Sequence, residues 1–288
     1  MKPAPFDYIR AESEEHATEC LSRYGDDARI LAGGQSLIAM LSMRLAQPKV
    51  LVDISRDAQL DEIRLAGPDE IRLHGEALIV DAATTQAKLE LFPDLATAVP
   101  LLAKALPHIG HFQTRNKGTV CGSIAHADPS SELPLCMAVL DGRVYLTRYD
   151  SGGHLDGRNV PGTAFFTGLL QTQREPDEFM TRVAFPLARP GEGYGFNEMA
   201  IRHGDFALVA VAVKAAVSSI RIGIAGAADK PHVRDWPDLE GSALDDALNA
   251  LAWELEFQED THASAKYRRH LVRTLGRRTV QEARACLT

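Results

Sequence analysis

Short apolar segments alternate with stretches of helical spacing in the first part of the chain. Ser13 stands where a helix N-cap is expected, acidic residues follow it, and Gly25 ends the helical pattern. The predicted elements are a helix over 13–24, a strand in "ARILAGG" (28–34), a helix in "IAMLSMRLA" (38–46) and a strand in "KVLVDIS" (49–55). The pattern therefore predicts a small α/β unit over about residues 1–56.

The residue pattern in the middle of the chain predicts an antiparallel hairpin, a broken helix and a long irregular segment. The segments "DEIRLHG" (69–75) and "ALIVDAATT" (77–85) alternate apolar and polar positions on either side of a tight turn. Residues 94–107 have helical spacing that is interrupted near Pro100. The segment "TRNKGTVCGSIAHADPSSELP" (114–134) mixes glycine, hydroxyl and proline residues, so we predict that it is irregular. An apolar helical pattern follows it.

A second region, beginning near Asp177, places apolar strand-like segments before two helices. Its predicted strands lie in "EFMTRVAFP", "GYGFNEMAI", "FALVAVAVKAAV" and "SIRIGIAGAA", and its predicted helices cover 243–255 and 264–285. Strands followed by helices are typical of an α+β domain. Because the stretch 170–178 is polar, as linkers are, we predict two domains. The predicted domains are 1–176, with subdomains over 1–56 and 57–176, and 177–288.

The amino-acid composition limits the classes of protein to which this chain can belong. The chain has 288 residues, 45% of them hydrophobic and 24% charged, with a formal net charge of −8. These values indicate a globular protein and argue against nucleic acid or an anionic membrane surface as the main partner. The four cysteines show no CxxC pairing, which argues against a disulfide scaffold and against a zinc or iron–sulfur site in this chain. With no long apolar run and no apolar N-terminal segment, we expect no membrane span and a cytoplasmic location.

Two separated turns combine glycine with hydrogen-bond donors. In "AGGQSL" (32–37), two glycines allow close approach of a ligand to the backbone, and Gln35 and Ser36 add polar side chains. The segment 114–134 repeats this chemistry, and such turns can surround a pyrophosphate without any positive charge. Neither turn has the spacing of a Rossmann dinucleotide site or of a P-loop.

The second turn also contains reactive side chains, which leave alternatives open. Cys121, His126 and Asp128 are candidates for a metal site, but their spacing fits no ordinary zinc pattern. Cys121 is also a candidate nucleophile, with His126 or His111 as its base. A cysteine between an apolar residue and a glycine is more often a packing residue. We therefore predict no catalytic side chain and no metal ligand in this chain.

Together, "AGGQSL" and "GTVCGSIAHADPSSELP" resemble the FAD-binding medium subunit of the molybdenum hydroxylases. That family includes carbon monoxide dehydrogenase, quinoline 2-oxidoreductase and nicotine dehydrogenase, and xanthine dehydrogenase is a relative. Less specific similarities to the family occur along the rest of the chain, in "FDYIR", "RLAQPKVLVDIS", "IRHGDFALVAVAV" and "YRRHLVRTLGRR". The resemblance implies an α+β fold: a two-subdomain FAD-binding domain of the vanillyl-alcohol-oxidase type, followed by a smaller α+β C-terminal domain.

The resemblance also implies which residues surround FAD. The first turn would meet the pyrophosphate, Glu132 the adenosine ribose, Met180 the adenine and Asn197 the flavin ring. Asp128 is an acceptor candidate for a ribose hydroxyl on chemical grounds. The other cofactor-binding positions are Ala32, Gly33, Gly34, Gln35, Ser36 and Leu37, then Ile109, Gly110 and Thr114, and then Gly118, Thr119, Gly122, Ser123 and His126.

One position departs from the family pattern. Family members commonly have two glycines where this chain has Cys121 and Gly122. If the backbone at Cys121 had a positive φ, the side chain would add strain of roughly 1 kcal/mol or more. We expect instead that this position accepts a small side chain, so that Cys121 is a packing residue.

The function that the resemblance implies is electron transfer within a larger enzyme. FAD would take electrons from [2Fe–2S] clusters of a small subunit and pass them to an external acceptor. The substrate would be oxidised at a molybdenum–pterin cofactor of a large subunit, in a dimer of three-chain units. Two alternatives remain: a self-contained flavin oxidoreductase acting on a small substrate, and a cofactor-free interaction subunit.

Overall fold

The computed structural model describes residues 2–67, 76–257 and 259–287. The first unit is a parallel three-stranded sheet of order β1–β3–β2. Its elements are β1 (Asp7–Arg10), α1 (Glu14–Tyr24), β2 (Ala28–Leu31), α2 (Leu37–Met43) and β3 (Val50–Asp53). The caps of α1 are as predicted: Ser13 Oγ accepts a hydrogen bond from the His16 N–H at 3.2 Å, and Gly25 follows the helix with φ +52°.

The second unit is an antiparallel five-stranded sheet of order β4–β5–β10–β6–β7, packed against helices. It begins with β4 (Ile63–Ala66), β5 (Ala77–Asp81), α3 (Gln86–Glu90), α4 (Leu95–Ala98), α5 (Pro100–Ala105), α6 (Phe112–Arg115), α7 (Val120–His126) and α8 (Glu132–Leu140). It continues with β6 (Arg143–Tyr149), β7 (Leu155–Pro161), α9 (Gly162–Phe165), β8 (Phe166–Gly168), β9 (Gln171–Thr172) and β10 (Phe179–Pro186). Every residue of α8 is buried, which makes this helix the centre of the main core.

The structure of this unit departs from the sequence prediction over residues 114–134. The predicted strand 69–75 falls on 68–75, outside the described residues, and the strand that pairs with β5 is β4. The prediction that 114–134 is irregular is wrong, because α7 lies within it and α8 begins at Glu132. Thr119 caps α7 by accepting a hydrogen bond from the Gly122 N–H at 3.0 Å. Pro134 lies in the first turn of α8, where a proline costs no intrahelical hydrogen bond.

The third unit is a four-stranded antiparallel sheet of order β11–β12–β13–β14. Its elements are β11 (Glu192–Met199), β12 (Val209–Ala216), β13 (Ser219–Ala225), β14 (His232–Pro237), α10 (Gly241–Glu254) and α11 (Ala265–Ala285). The helix α11 packs on β11 and β12, while α8 of the second unit contacts β12 and β13. Both C-terminal helices are confirmed to within about two residues, and β14 was not predicted.

The strand β10 is the last strand of the second unit in the sequence and directly precedes the third unit. It was predicted to open the C-terminal domain, but it pairs with β5 on one side and β6 on the other. The sheet of the second unit therefore extends beyond the predicted boundary at residues 176 and 177. Hydrophobic alternation predicts a strand but does not identify its partners. Among the helices of the described residues, none combines the length and the apolar character that crossing a membrane requires.

Candidate functional site

The two glycine-bearing turns lie in direct contact. A Cβ on Gly33 would lie 2.0 Å from the carbonyl oxygen of Lys117 and 2.7 Å from Cα of Gly118. No side chain fits in that space, so glycine is required for this approach of two backbones. The neighbouring Gly34 has a φ of +70°, a conformation that also favours glycine. The sequence "AGGQSL" thus brings the first turn against the second.

The second turn is held in place by the loop that follows β5. The backbone N–H of Gln86 donates to the Gly118 oxygen at 2.8 Å, and the N–H of Val120 donates to the Thr84 oxygen at 3.0 Å. Because these hydrogen bonds lie between buried or half-buried residues, they fix the position of the turn relative to the five-stranded sheet. The start of α7 is therefore anchored to the second unit, while the first turn comes from the first unit.

A cavity of about 1020 Å³ opens where these turns meet. A cavity of this size is at the upper end of the range for small-molecule and cofactor sites. The predicted site residues that line it are Ala32, Gly33, Gly34, Gln35, Ser36, Leu37, Ile109, Gly110, Thr114, Gly118, Thr119, Gly122, Ser123, His126, Glu132 and Met180. Residues that are far apart in the sequence therefore line the same cavity.

Two predicted site residues do not line the cavity. Asp128 accepts a hydrogen bond from the Ser130 N–H at 2.8 Å within its own turn. Asn197 lies on β11 and donates from Nδ2 to Glu282 Oε2 at 2.6 Å on α11. Glu198, the next residue of β11, faces the opposite side of the sheet, where it meets His108. Contacts of Asp128 and Asn197 with the cofactor stay predictions.

Cys121, the candidate nucleophile of the second turn, is a buried helix residue. Cys121 lies in α7, is 3% exposed, and donates from Sγ to the Val80 oxygen at 3.6 Å. Burial raises the pKa of this thiol far above its usual value, so it is not a thiolate nucleophile. Among the described residues, no cluster of three or more His, Cys, Asp or Glu side chains is placed to hold a metal ion. Cys121 is not among the residues with positive φ, so the backbone there accepts a side chain without that strain, as expected.

Comparison with known proteins identifies the family. The profile described as "FAD binding domain in molybdopterin dehydrogenase" matches residues 4–188. The chain belongs to this family. It is 36% identical to the nicotine 6-hydroxylase medium subunit of Paenarthrobacter nicotinovorans, over 99% of both chains. It is 32% identical to the carbon monoxide dehydrogenase medium chain of Afipia carboxidovorans, again over 99% of both.

Comparison with solved structures leads to the same family. A chain of carbon monoxide dehydrogenase from Hydrogenophaga pseudoflava superposes with a TM-score of 0.89 at 29% identity, covering 100% of both chains. A chain of quinoline 2-oxidoreductase from Pseudomonas putida 86 gives a TM-score of 0.87 at 31% identity, also over 100% of both. The chain is therefore an FAD-binding medium subunit of the molybdenum hydroxylase type. The resemblance drawn from the two glycine turns is confirmed.

The cavity has features that suit FAD. Gly33 and Gly118 contribute backbone rather than side chains to its wall, and Ser36 and Thr119, which carry hydroxyls, line it as well. Gln86 also lines the cavity, is 5% exposed, and its buried Oε1 has no hydrogen-bond partner within the described part of the chain. A buried amide oxygen without a partner is costly unless a ligand or water satisfies it. The hydroxyl-rich ribityl and ribose parts of FAD offer suitable donors.

The cavity wall includes the buried carboxyl group of Glu132, which lies near His108 and Glu198. Glu132 is 7% exposed, and burial, with the nearby charge of Glu198, raises its pKa to about 7. His108 Nδ1 lies 3.3 Å from Glu198 Oε1, and this hydrogen bond raises the pKa of the imidazole. Glu132 therefore changes its protonation state near neutral pH, as a carboxylic acid that donates or a carboxylate that accepts hydrogen bonds.

Sequence reasoning missed several residues that line the cavity. Gln86 follows two threonines and has no distinguishing motif, and Arg29 precedes the first turn within a strand. Arg174 lies in the polar stretch that was interpreted as a linker. Gly204 was included only in a softer similarity, although a Cβ there would lie 2.8 Å from the Gly110 oxygen. Among these missed residues, Gly204 is the one that its residue type could have marked, because its φ of +84° favours glycine.

Proposed function

We propose that this subunit holds FAD extended across the cavity and transfers electrons from [2Fe–2S] clusters of a small subunit to an external acceptor. The observation that carries the proposal is the contact of Gly33 with Lys117 and Gly118, which joins two donor-rich turns into one wall. Bound FAD supplies the two-electron redox chemistry, and the protein binds and orients the cofactor and tunes its potential.

The proposed roles of the residues follow from their chemistry and from the family resemblance. The amides and hydroxyls of residues 32–37 bind the pyrophosphate, and Glu132 meets the adenosine ribose. Met180 contacts the adenine. The remaining contacts are assigned to Ile109, Gly110, Thr114, Gly118, Thr119, Gly122, Ser123 and His126, which exclude water and position the cofactor.

We also propose a finer description of the domains. The first two units would correspond to the two subdomains of a vanillyl-alcohol-oxidase-type FAD domain, over about 1–56 and from 57 onward. The pairing of β10 with β5 and β6, and the family match ending at residue 188, favour a boundary near 188 over the one predicted at 176. The third unit would then be the C-terminal domain of the subunit.

The proposed partners are a small iron–sulfur subunit and a large molybdenum-cofactor subunit, in a dimer of heterotrimers. Similar proteins are themselves described as medium subunits or medium chains, which supports a role within an assembly. We propose a reducing, cytoplasmic location, supported by the cysteines Cys20, Cys121, Cys136 and Cys286, all of which are free thiols.

The test is to purify the full chain alone and co-expressed with the two partner subunits, and to record visible spectra and dehydrogenase activity. We expect the chain alone to bind FAD and to show the flavin spectrum without oxidising substrate. Activity should require all three subunits. A chain that takes up no FAD would overturn the proposal, and substrate turnover by the chain alone would favour the self-contained oxidoreductase.

A further inference from the structure

The hairpin formed by β8 and β9 is part of the cavity wall. Its two strands are joined by Leu169 and Leu170. Thr167, Leu170, Gln171 and Thr172 line the cavity, although the sequence analysis predicted none of them as site residues. Three of these side chains carry polar groups, so Leu170 supplies the apolar surface that this hairpin offers to the cavity.

The base of the hairpin is fixed to the second unit. The buried rings of Phe165 and Phe166 lie edge to face with their centroids 5.4 Å apart, and the Gln173 N–H donates to the Phe165 oxygen at 2.9 Å. Arg158 on β7 donates from Nη2 to the Gln173 oxygen at 2.6 Å. At the turn, by contrast, Leu170 is 45% exposed. A fixed base therefore carries an apolar side chain that the chain itself leaves half uncovered.

The backbone of Leu170 has an unusual conformation for a leucine. Its φ is +53°, in the left-handed region, where the Cβ of any residue other than glycine crowds the backbone. Three other non-glycine residues in the described part of the chain have a positive φ, and each directly follows a helix: Arg44 after α2, Ala127 after α7 and Asp141 after α8. A left-handed residue is a common way to end a helix. Leu170 lies in a hairpin turn, so that explanation does not apply to it.

A tight turn between two strands does not itself require a leucine. Glycine, asparagine and aspartate are favoured where such turns have a positive φ, because these residues accept the conformation at little cost. The half-exposed side chain of Leu170 also gains little from packing within the chain. Strained residues that persist in a protein cluster at functional sites, where the strain serves ligand binding or a switch. Since Leu170 lines the cavity, the ligand of the cavity is the group that its side chain can serve.

We propose that Leu170 is a cofactor-contact residue: its strained backbone is retained because it keeps an apolar side chain in the cavity, where a ring face of bound FAD covers it. This inference rests on the proposed function and deepens it. Covering the leucine removes apolar surface from water, so the contact slows dissociation of the cofactor. The free chain carries both the strain and the exposed leucine, and only the complex gains from them. Leu170 should therefore weaken the free chain and strengthen the complex.

The test replaces Leu170 with residues that accept a positive φ and lack its apolar side chain, in Leu170→Asn and Leu170→Gly. Leu170→Met keeps an apolar side chain of similar volume. The matched control is Leu169→Asn, because Leu169 is 55% exposed and is not among the residues that line the cavity or have a positive φ. Flavin fluorescence gives the rate constant for FAD dissociation from the full chain, and urea unfolding gives the stability of the flavin-free chain.

The two measurements should move in different directions. Leu170→Asn and Leu170→Gly should release FAD at least about fivefold faster than wild type, because the covered apolar surface is lost. The flavin-free chain of both variants should unfold at the same urea concentration as wild type or a higher one, because the strain is relieved. Leu170→Met and Leu169→Asn should release FAD within about twofold of the wild-type rate.

The possible results separate this inference from the proposed function. If the wild-type chain takes up no FAD, the proposed function fails and the inference fails with it. If wild type binds FAD and both Leu170→Asn and Leu170→Gly release it at the wild-type rate, only the inference is wrong. An equal acceleration in Leu169→Asn would also overturn it, because the effect would then belong to the hairpin as a whole. Lower flavin-free stability of both variants would do the same, because Leu170 would then be a packing residue of the free chain.

Discussion

Burial acts differently on the ionisable side chains around the cavity. For Cys121 it raises the thiol pKa so far that the residue stays protonated and behaves as a small apolar group. For Glu132 it raises the carboxyl pKa only to about 7, which leaves the proton exchangeable near neutral pH. His108 is shifted upward by its bond to Glu198, which favours the charged imidazole. Of these three residues, Glu132 is the one expected to couple pH to the cavity.

The raised pKa of Glu132 predicts a pH-dependent stability. The folded chain holds the proton more tightly than the unfolded chain, so this stabilisation is complete below the unfolded pKa of about 4.5 and is lost as pH rises through about 7. The loss is at most about 3 kcal/mol, from the size of the shift. In urea unfolding of the flavin-free chain, Glu132→Gln should reduce the fall in stability between about pH 5 and 8.

The matched control for this measurement is Glu76→Gln, because Glu76 is exposed. Its pH profile should follow that of wild type. A Glu132→Gln variant with an unchanged slope would show that another group, such as His108, accounts for the dependence.

Replacing Cys121 tests whether it is only a packing residue. Because it lies inside α7, Cys121→Gly should cost roughly 0.3 kcal/mol from helix propensity, in addition to lost packing. FAD content and turnover of the assembled enzyme should stay at wild-type levels. Cys121→Ala places the best helix former at this position, so any loss of stability in that variant reports the packing contribution. A marked change of FAD content or turnover in either variant would contradict a packing role.

At the residue scale, the sequence predicted the parts of the site that are local. The glycines and hydroxyls of the two turns are adjacent in sequence, so their chemistry is readable without a structure. Arg29 and Gln86 gain their position from elements that are distant in sequence, and no local pattern marks them. The role of Asn197 stays a prediction, because a similar sequence does not reveal which face of β11 a residue occupies.

At the element scale, α7 shows why the second turn was misinterpreted. Its sequence, "VCGSIAH", contains a glycine and a serine, which weaken the helical pattern. The cap from Thr119 and the burial of Val120, Cys121 and Ile124 stabilise the helix despite that composition. Strand β10 was recognised as a strand but placed in the wrong unit. Element type follows from local periodicity, whereas element partners depend on tertiary packing.

The contact between the two turns gives a prediction at this scale. Gly33→Ala would place a methyl group against the backbone of Lys117 and Gly118, which cannot move aside as a side chain can. The turns must separate, so we expect at least about tenfold weaker FAD binding and a stability loss of about 1–3 kcal/mol. Flavin titration and urea unfolding measure both effects.

Gly67→Ala provides the control, since no atom of the described part of the chain lies within 4 Å of a Cβ at that position. This variant should bind FAD like wild type and be as stable. If Gly33→Ala matched it in both measurements, the contact between the turns would not be required for the site.

At the scale of the whole molecule, the cavity draws on all three units. The first unit supplies residues 28–37, the second supplies α7 and Glu132, and the third supplies Leu208 and His262. The third unit is internally fixed, because Arg268 on α11 donates to the Leu208 oxygen at 2.8 Å and to the Gly226 oxygen at 3.0 Å. The first unit has only three strands of four residues each and a correspondingly small core. It depends most on contacts with its surroundings.

This asymmetry predicts where FAD stabilises the molecule. Ligand at about one hundred times its dissociation constant stabilises the native state by about 2.7 kcal/mol. Segments that open locally gain the most protection, because a bound ligand must leave before they can open. In hydrogen exchange of the full chain with and without FAD, residues 28–37 should therefore slow more than β13, which is already buried at the centre of its sheet. Slowing confined to β12 and β13 would show that FAD does not connect the first unit to the rest.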